Sequence, residues 1–326
     1  AAGCRAAGEG AEGAGECGAE GVAARGAGDV LSWVARQGLI RGLELVDFNF
    51  PQHLLPDGQG GPSVEQVRSA LSSAGLSAGS ICMRFPATQF RAGALTSPEA
   101  RTRAEAVALA TGGCAWARAL GAGQLVVWSA FDGYDYHLQV DHLLMWRHIV
   151  ESFQALCDAC PDLRVSVEPK PTDPSSRWSA LPTTGTALAL VSAVNRTNFG
   201  LTLDVGHMVM AGENPAQSVA MAAAARALFG LQIGDAYSRV GTEDGLAFGS
   251  VSQTAALELV YWLRRLRYSG HIYFDTFPVN EDPVREAEFN IRRFRLLWSR
   301  AAALDDGGLA ALLATHDAMG VLEMLE

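Results

Sequence analysis

The stretch Val165-Ser-Val-Glu-Pro-Lys-Pro171 decides the fold. Side chains on a strand alternate between faces, so Arg164, Ser166, Glu168 and Lys170 share one face and Leu163, Val165 and Val167 the other. One apolar face and one ionisable face describe a strand that packs on helices outside and carries chemistry inside. Pro169 and Pro171 have no backbone N–H to donate, so strand pairing stops there. A carboxylate and an ammonium thus arrive together at the strand's C-terminal end. Taken alone, they read equally as a buried Glu–Lys pair with a structural role.

On both sides of this strand the chain alternates between the two periodicities. Upstream, Asp29 is placed to cap a helix to Gln37, and Gly42 to Phe50 reads as a strand. Ser63 with Gln66 predicts a capping box for a helix over 64–74, ended by Gly75. Strand Gly79–Phe85, a helix from Ser97-Pro98 to Leu120, strand Gln124–Trp128 and a helix over 139–158 follow. Downstream come a helix over 184–195, strand Gly200–Val205, a helix opened by Asn214-Pro215 and strand Gly230–Gly234. An irregular loop to Gly249, a helix over 252–267, strand His271–Phe277 and a long helix from Asp282-Pro283 complete the series. Unbroken alternation predicts a parallel sheet with right-handed crossovers, an α/β (β/α)8 TIM barrel. Only seven strands are legible, so the first is poorly defined or missing. Residues 1–28, nearly all Ala, Gly and Glu with Val22 as the lone branched apolar residue, are expected to be a disordered leader. They open without an initiator Met, as a fragment or a mis-joined frame would. The barrel is expected over 29–305, with a helical tail over 306–326.

Bulk properties narrow the function. A chain of 326 residues, 49% hydrophobic, can bury a large core. A net charge of −10 leaves no basic footprint for nucleic acid or anionic membrane. Apolar runs are broken by charge, as Arg226 breaks 220–229, so no membrane span is predicted. Six cysteines without a secretory segment read as reduced thiols of a cytoplasmic protein. Cys157 and Cys160 form a lone CxxC on an amphipathic helix, which argues against metal or redox use.

Extending the parity rule places Asp204 inward with Thr202, Gln232 inward between Leu231 and Ile233, and Asp275 inward with Tyr273. Four consecutive strands would thus deliver Glu168, Asp204, Gln232 and Asp275 to the C-terminal rim, the functional end of a barrel. Carboxylates within about 4 Å repel by about 4 kcal/mol per pair at an effective dielectric near 20. A divalent cation removes that penalty, and oxygen donors suit Mg²⁺ or Mn²⁺. His207 and the following acids Glu243 and Asp244 could hold a second ion; a satisfied core histidine is the bland alternative for His207.

These motifs together resemble the xylose isomerase-like sugar isomerases. Glu168-Pro-Lys-Pro-Thr-Asp-Pro174 is similar to that family's EPKPxEP strand end, and Asp204-Val-Gly-His207 to its acid-x-x-His pair. Thr242-Glu-Asp-Gly-Leu-Ala-Phe-Gly249 resembles its loop of second-site acids, and Phe274-Asp-Thr-Phe-Pro278 its last metal-ligand strand. The resemblance implies two divalent ions, Mn²⁺, Mg²⁺ or Co²⁺. Glu168, Asp204 and Asp275 would bind one, with Gln232 at a ligand position, and Asp204, His207 and Glu243 the other. It further implies that Lys170 polarises a sugar carbonyl, that Trp128 walls the pocket, and that the reaction is a metal-assisted hydride shift between aldose and ketose. Departures exist: Gln232 is neutral where the family has an Asp or His, and the second-site acids are adjacent. No ring-opening His–Asp pair is recognisable, and Asp47, Asn49 and His53 are the candidates for substrate contact there. Two alternatives stay open, a sugar epimerase acting at C3 and a non-catalytic sugar-binding or scaffold protein. The partner is expected to be a small sugar. A homo-oligomer, dimer or tetramer, is compatible with the sequence.

Overall fold

Seven segments carry bulky apolar residues on one parity and polar residues on the other, and they pair side by side in chain order. The computed structural model describes residues 28–56, 58–239 and 243–326. The strands are β1 (Leu45–Phe50), β2 (Ser77–Arg84), β3 (Gln124–Trp128), β4 (Arg164–Val167), β5 (Phe199–Asp204), β6 (Leu228–Ile233) and β7 (His271–Phe274). All neighbouring pairs are parallel and the order is sequential. The result is a nearly closed TIM barrel.

Helices fill the crossovers: α1 (Gly28–Gln37), α2 (Val64–Ala74), α3 (Ala100–Leu120), α4 (His142–Ala159), α5 (Thr184–Val194), α6 (Val205–Met210), α7 (Pro215–Ala224), α8 (Gln253–Arg265) and α9 (Pro283–Asp306). Two short helices, α10 (Leu309–Thr315) and α11 (Ala318–Leu325), follow. Their starts follow local chemistry. Ser63 and Gln66 form the expected capping box, Gly75 takes the left-handed conformation that ends α2, and Asn214 caps α7 ahead of Pro215. Ser97 does not cap α3, contrary to the sequence reading. Its hydroxyl accepts from the Glu99 N–H and closes a turn ahead of the helix, which begins at Ala100.

The outward parity makes the core. Phe48, Phe50, Ile81, Met83, Leu125, Val165, Leu201, Leu203 and Ile233 are fully buried under the helices. Each such side chain contributes roughly 1.5–3 kcal/mol on burial. The inward parity builds a polar plug at the barrel's N-terminal end. Gln124 Nε2 donates to Ser166 Oγ and Thr202 Oγ1, both at 2.8 Å, and those hydroxyls lie 2.7 Å apart. Gly230 on β6 leaves the room, since a Cβ there would press on Thr202 and Gln124.

The two edge strands, β1 and β7, meet through side chains. Asp47 Oδ1 lies 3.4 Å from His271 Nε2, and a Cβ at Gly79 would collide with both groups. Among the described residues there is no eighth parallel strand, and the leader expected over 1–28 falls almost wholly outside them. Outside this seam, Arg41 on the loop into β1 pairs with Glu288 of α9 at 2.9 Å, joining the first and last crossovers.

The cysteine expectation needs correction. Cys114 on α3 and Cys160, which caps the C-terminus of α4, form a disulfide with Cα atoms 6.6 Å apart. Parallel packing of α3 beside α4 brings together two residues that are 46 apart in sequence. Cys157 stays a buried thiol, and burial pushes its pKa up to about 12.

Candidate metal centre and active site

The ends of β4 to β7 converge as the parity rule predicts. Glu168 and Asp275 each lie one residue past a strand, yet their amides still bond the neighbouring strand, to Val127 O at 3.0 Å and Ile233 O at 3.1 Å. Parity therefore persists to both carboxylates. Glu168, Asp204, Gln232 and Asp275 are all buried, as is His207. Asp204 ends β5 and also caps α6, accepting from the His207 N–H at 2.8 Å, so one carboxylate orients the helix that presents the histidine.

The state of His207 follows from its neighbours. Nδ1 lies 3.1 Å from the Pro169 carbonyl, which can only accept, so Nδ1 carries the proton. Nε2 makes no hydrogen bond and faces Glu243 Oε1 at 3.3 Å. A bare imidazole lone pair opposite a carboxylate is repulsive; a proton or a cation must lie between them. Asp204, His207 and Glu243 offer ligand atoms all within 4.8 Å of one another. Gln232 is similar: its Nε2 donates to Glu168 Oε2 at 3.2 Å, while its Oε1 is buried without a partner. A divalent cation would satisfy both orphaned atoms, and the donor set of carboxylates, one amide oxygen and one imidazole suits Mn²⁺, Mg²⁺ or Co²⁺. The residues fit the metals.

Protons alone satisfy this cluster poorly. Burial, then the charges of Asp275, Glu243 and Glu168, push Asp204 well above the usual carboxylate range against the pull of His207. Burial, with Glu243 and Glu168, raises Asp275 to about 7 despite Arg84 and His207. Burial would lower His207, but Asp204, Glu243 and Glu168 outweigh it and raise the imidazole to about 9. Burial would raise Glu243, yet His207 and Lys170 hold it below the carboxylate range.

Lys170 stands beside the cluster. Its Nζ is 2.7 Å from Glu243 Oε2 and 3.2 Å from Asp173 Oδ2, and 5.1 Å from the Trp128 ring centroid. Burial opposes the charge, but both acids outweigh it and keep the ammonium above its ordinary value. A cavity of about 20 Å³, room for one water, lies against Lys170, Thr172, Asp173 and Ser176.

The structure also separates residues that the sequence reading had grouped. Asp47 accepts from Ser80 N–H and Oγ at 2.8 and 2.6 Å, at the seam, level with the first residue of β7 and a strand's depth below Asp275. The His53 ring lies 5.1 Å from that of Trp33 on α1, and its Nδ1 accepts from Asn49 N–H. Neither joins the cluster, so the expected substrate contacts of Asp47 and His53 are not supported by their positions. Asp244 turns to Arg239 and the Tyr237 N–H, tying down its own loop and leaving Glu243 as the acid that enters. Arg84 and Asp173 were missed. Arg84 ends β2, donates from Nε to Asn49 Oδ1 at 3.0 Å and stacks 4.6 Å from the Trp128 centroid. Its inward parity on β2 and the place of Asp173 in the quoted proline-rich stretch were the available signals.

The model of the xylose isomerase-like TIM barrel family matches residues 31–297. The chain belongs to that family. It is 28% identical to the xylose isomerase of Thermus thermophilus over 264 residues, 78% of this chain and 68% of that enzyme. It is 33% identical to the Streptomyces lividans xylose isomerase over 190 residues, half of this chain and 48% of that enzyme. Among solved structures, an L-ribulose 3-epimerase superposes with a TM-score of 0.68 at 16% identity, covering 86% of this chain and 92% of that one. The D-psicose 3-epimerase of Clostridium cellulolyticum gives 0.63 at 17%, covering 83% and 94%. At such identity these structures establish the family's fold. No helix among the described residues is long and apolar enough to cross a membrane.

Proposed function

We propose that the protein is a divalent-metal-dependent aldose–ketose isomerase acting on a free monosaccharide by a 1,2-hydride shift. The observation that carries this reading is a charged lysine beside an acid–histidine cluster with two orphaned ligand atoms. Glu168, Asp204, Gln232 and Asp275 would hold one ion, and Asp204, His207 and Glu243 a second. Bound there, the ions supply Lewis acidity toward the sugar's C1 and C2 oxygens. The Pro169 carbonyl fixes the imidazole so that Nε2 is the donor atom. Lys170, kept charged by Glu243 and Asp173, would donate a hydrogen bond to the substrate carbonyl oxygen, and Trp128 would wall off water on one side.

An epimerase would need two carboxylates on opposite faces of C3, each able to take a proton. Here Glu243 is paired with Lys170 and His207, and Glu168 is bonded to Gln232, which favours the isomerase. The test is a screen of free aldoses and ketoses with Mn²⁺, Co²⁺ or Mg²⁺. Interconversion at C1/C2 supports the proposal, and inversion at C3 supports the epimerase. No turnover together with no metal binding leaves the sugar-binding or scaffold reading.

A further inference from the structure

The acid cluster occupies the strand ends of the barrel's second half. The ends of β1, β2 and β3 present a wall of different character: Asn49, Arg84 and Trp128. A neutral sugar is recognised adequately by amides and hydroxyls, and nothing about metal binding calls for another cation on this wall. Arg84 is nevertheless half-buried there, and a guanidinium does not escape the cost of burial by losing its proton. It is also held in a fixed pose. The Arg84 carbonyl accepts from Gln52 Nε2 at 3.2 Å, Nε bonds Asn49 at 3.0 Å, and the plane lies on the Trp128 indole. With Nε committed to Asn49, the Nη1–Nη2 edge of the fork is the one suited to a bidentate anion. Lys170 and Arg84 flank the same indole at 5.1 and 4.6 Å from its centroid, so they stand at most about 10 Å apart. That separation matches an open-chain pentose or hexose with its carbonyl end at Lys170 and its far end at Arg84.

We infer that the substrate is an anionic sugar, with a carboxylate or phosphoryl group at the end remote from the reacting carbonyl, and that Arg84 reads that group. The inference rests on the isomerase reading for which end of the sugar lies where. Its test is therefore chosen to work without turnover. Binding of gluconate and of its neutral counterpart glucitol is measured by calorimetry on the Mn²⁺-loaded protein, on the protein in EDTA, and on Arg84→Gln and Arg84→Lys. The expected result is that gluconate binds at least about 10-fold more tightly than glucitol, as a charge-assisted bidentate contact would give. Arg84→Gln should remove that preference and Arg84→Lys restore only part of it, with circular dichroism confirming that both variants fold. Equal binding of the two ligands, or a preference that survives in Arg84→Gln because the carboxylate goes to the metals, overturns the inference. Turnover of a neutral hexose, its uronate and its 6-phosphate then separates the two sources of negative charge. Preference for the neutral sugar overturns the inference while leaving the isomerase reading intact.

Discussion

Replacing Asp204 by Asn tests the metal centre at its most shared residue. Asn keeps an oxygen to cap α6 and accept from the His207 N–H, so the local fold is preserved and only the charge is lost. Without divalent ions the cluster makes stability fall as pH rises. Asp275 has a folded pKa of about 7, above its ordinary 3.8, so its contribution is full below about 4 and is lost as pH rises through 7. A rise of that size is worth about 4 kcal/mol. His207, raised to about 9, has the same sign over the window from 6.5 to 9. The wild-type protein in EDTA should therefore melt progressively lower from pH 5 to 9. Ions bound at 100 times the dissociation constant restore roughly 2.7 kcal/mol, at least a couple of degrees for a chain this long. The metal-induced rise in Tm should grow with pH in the wild type and largely vanish in Asp204→Asn, whose EDTA curve should be flatter and higher at alkaline pH. Differential scanning calorimetry with and without Mn²⁺ measures all four curves. An undiminished metal response in Asp204→Asn, or a wild-type Tm in EDTA that rises with pH, would refute the electrostatic account of the cluster.

Other consequences can be checked separately. Lys170→Met should lower turnover on any accepted sugar by at least about 10²-fold while bound manganese, counted by mass spectrometry, stays the same; full activity would remove Lys170 from the mechanism. Gln232→Asp should tighten Mn²⁺ binding in calorimetry by adding an anionic donor beside Glu168, and weaker binding would show that the site already carries its maximum charge. Breaking the Cys114–Cys160 bridge, which spans 46 residues, should cost about 3–4 kcal/mol, so melts with and without dithiothreitol should differ, and identical melts would mean the two sulfurs are not joined.

The features legible in the sequence were those written locally. Alternating parity located Glu168, Asp204, Gln232 and Asp275 on successive strand ends, and the capping pairs at Ser63 and Asn214 set their helices to the residue. What escaped depends on where distant segments return. Glu243 reaches Lys170 from 73 residues away through an irregular loop, and the Pro169 carbonyl meets His207 across 38. Neither contact leaves a periodic trace. Arg84 was hidden for another reason: a single arginine at a strand end looks like any rim charge until the indole it stacks on is known. Asp47 misled because inward parity gives a face and no depth. It sits at the seam, far below the rim.

The distribution of the site along the chain bears on how such a barrel can diversify. Every candidate metal donor lies from Glu168 onward, and the Asn49–Arg84–Trp128 wall lies wholly before it. Reactivity and recognition are therefore inherited on separate stretches of gene. A recombination point between β3 and β4 would exchange the surface that meets the far end of a sugar without disturbing one ligand of the centre. Chimeras joined there to other members of the family should keep their ions and change their diet, which makes the first half of the barrel the place to look for altered selectivity.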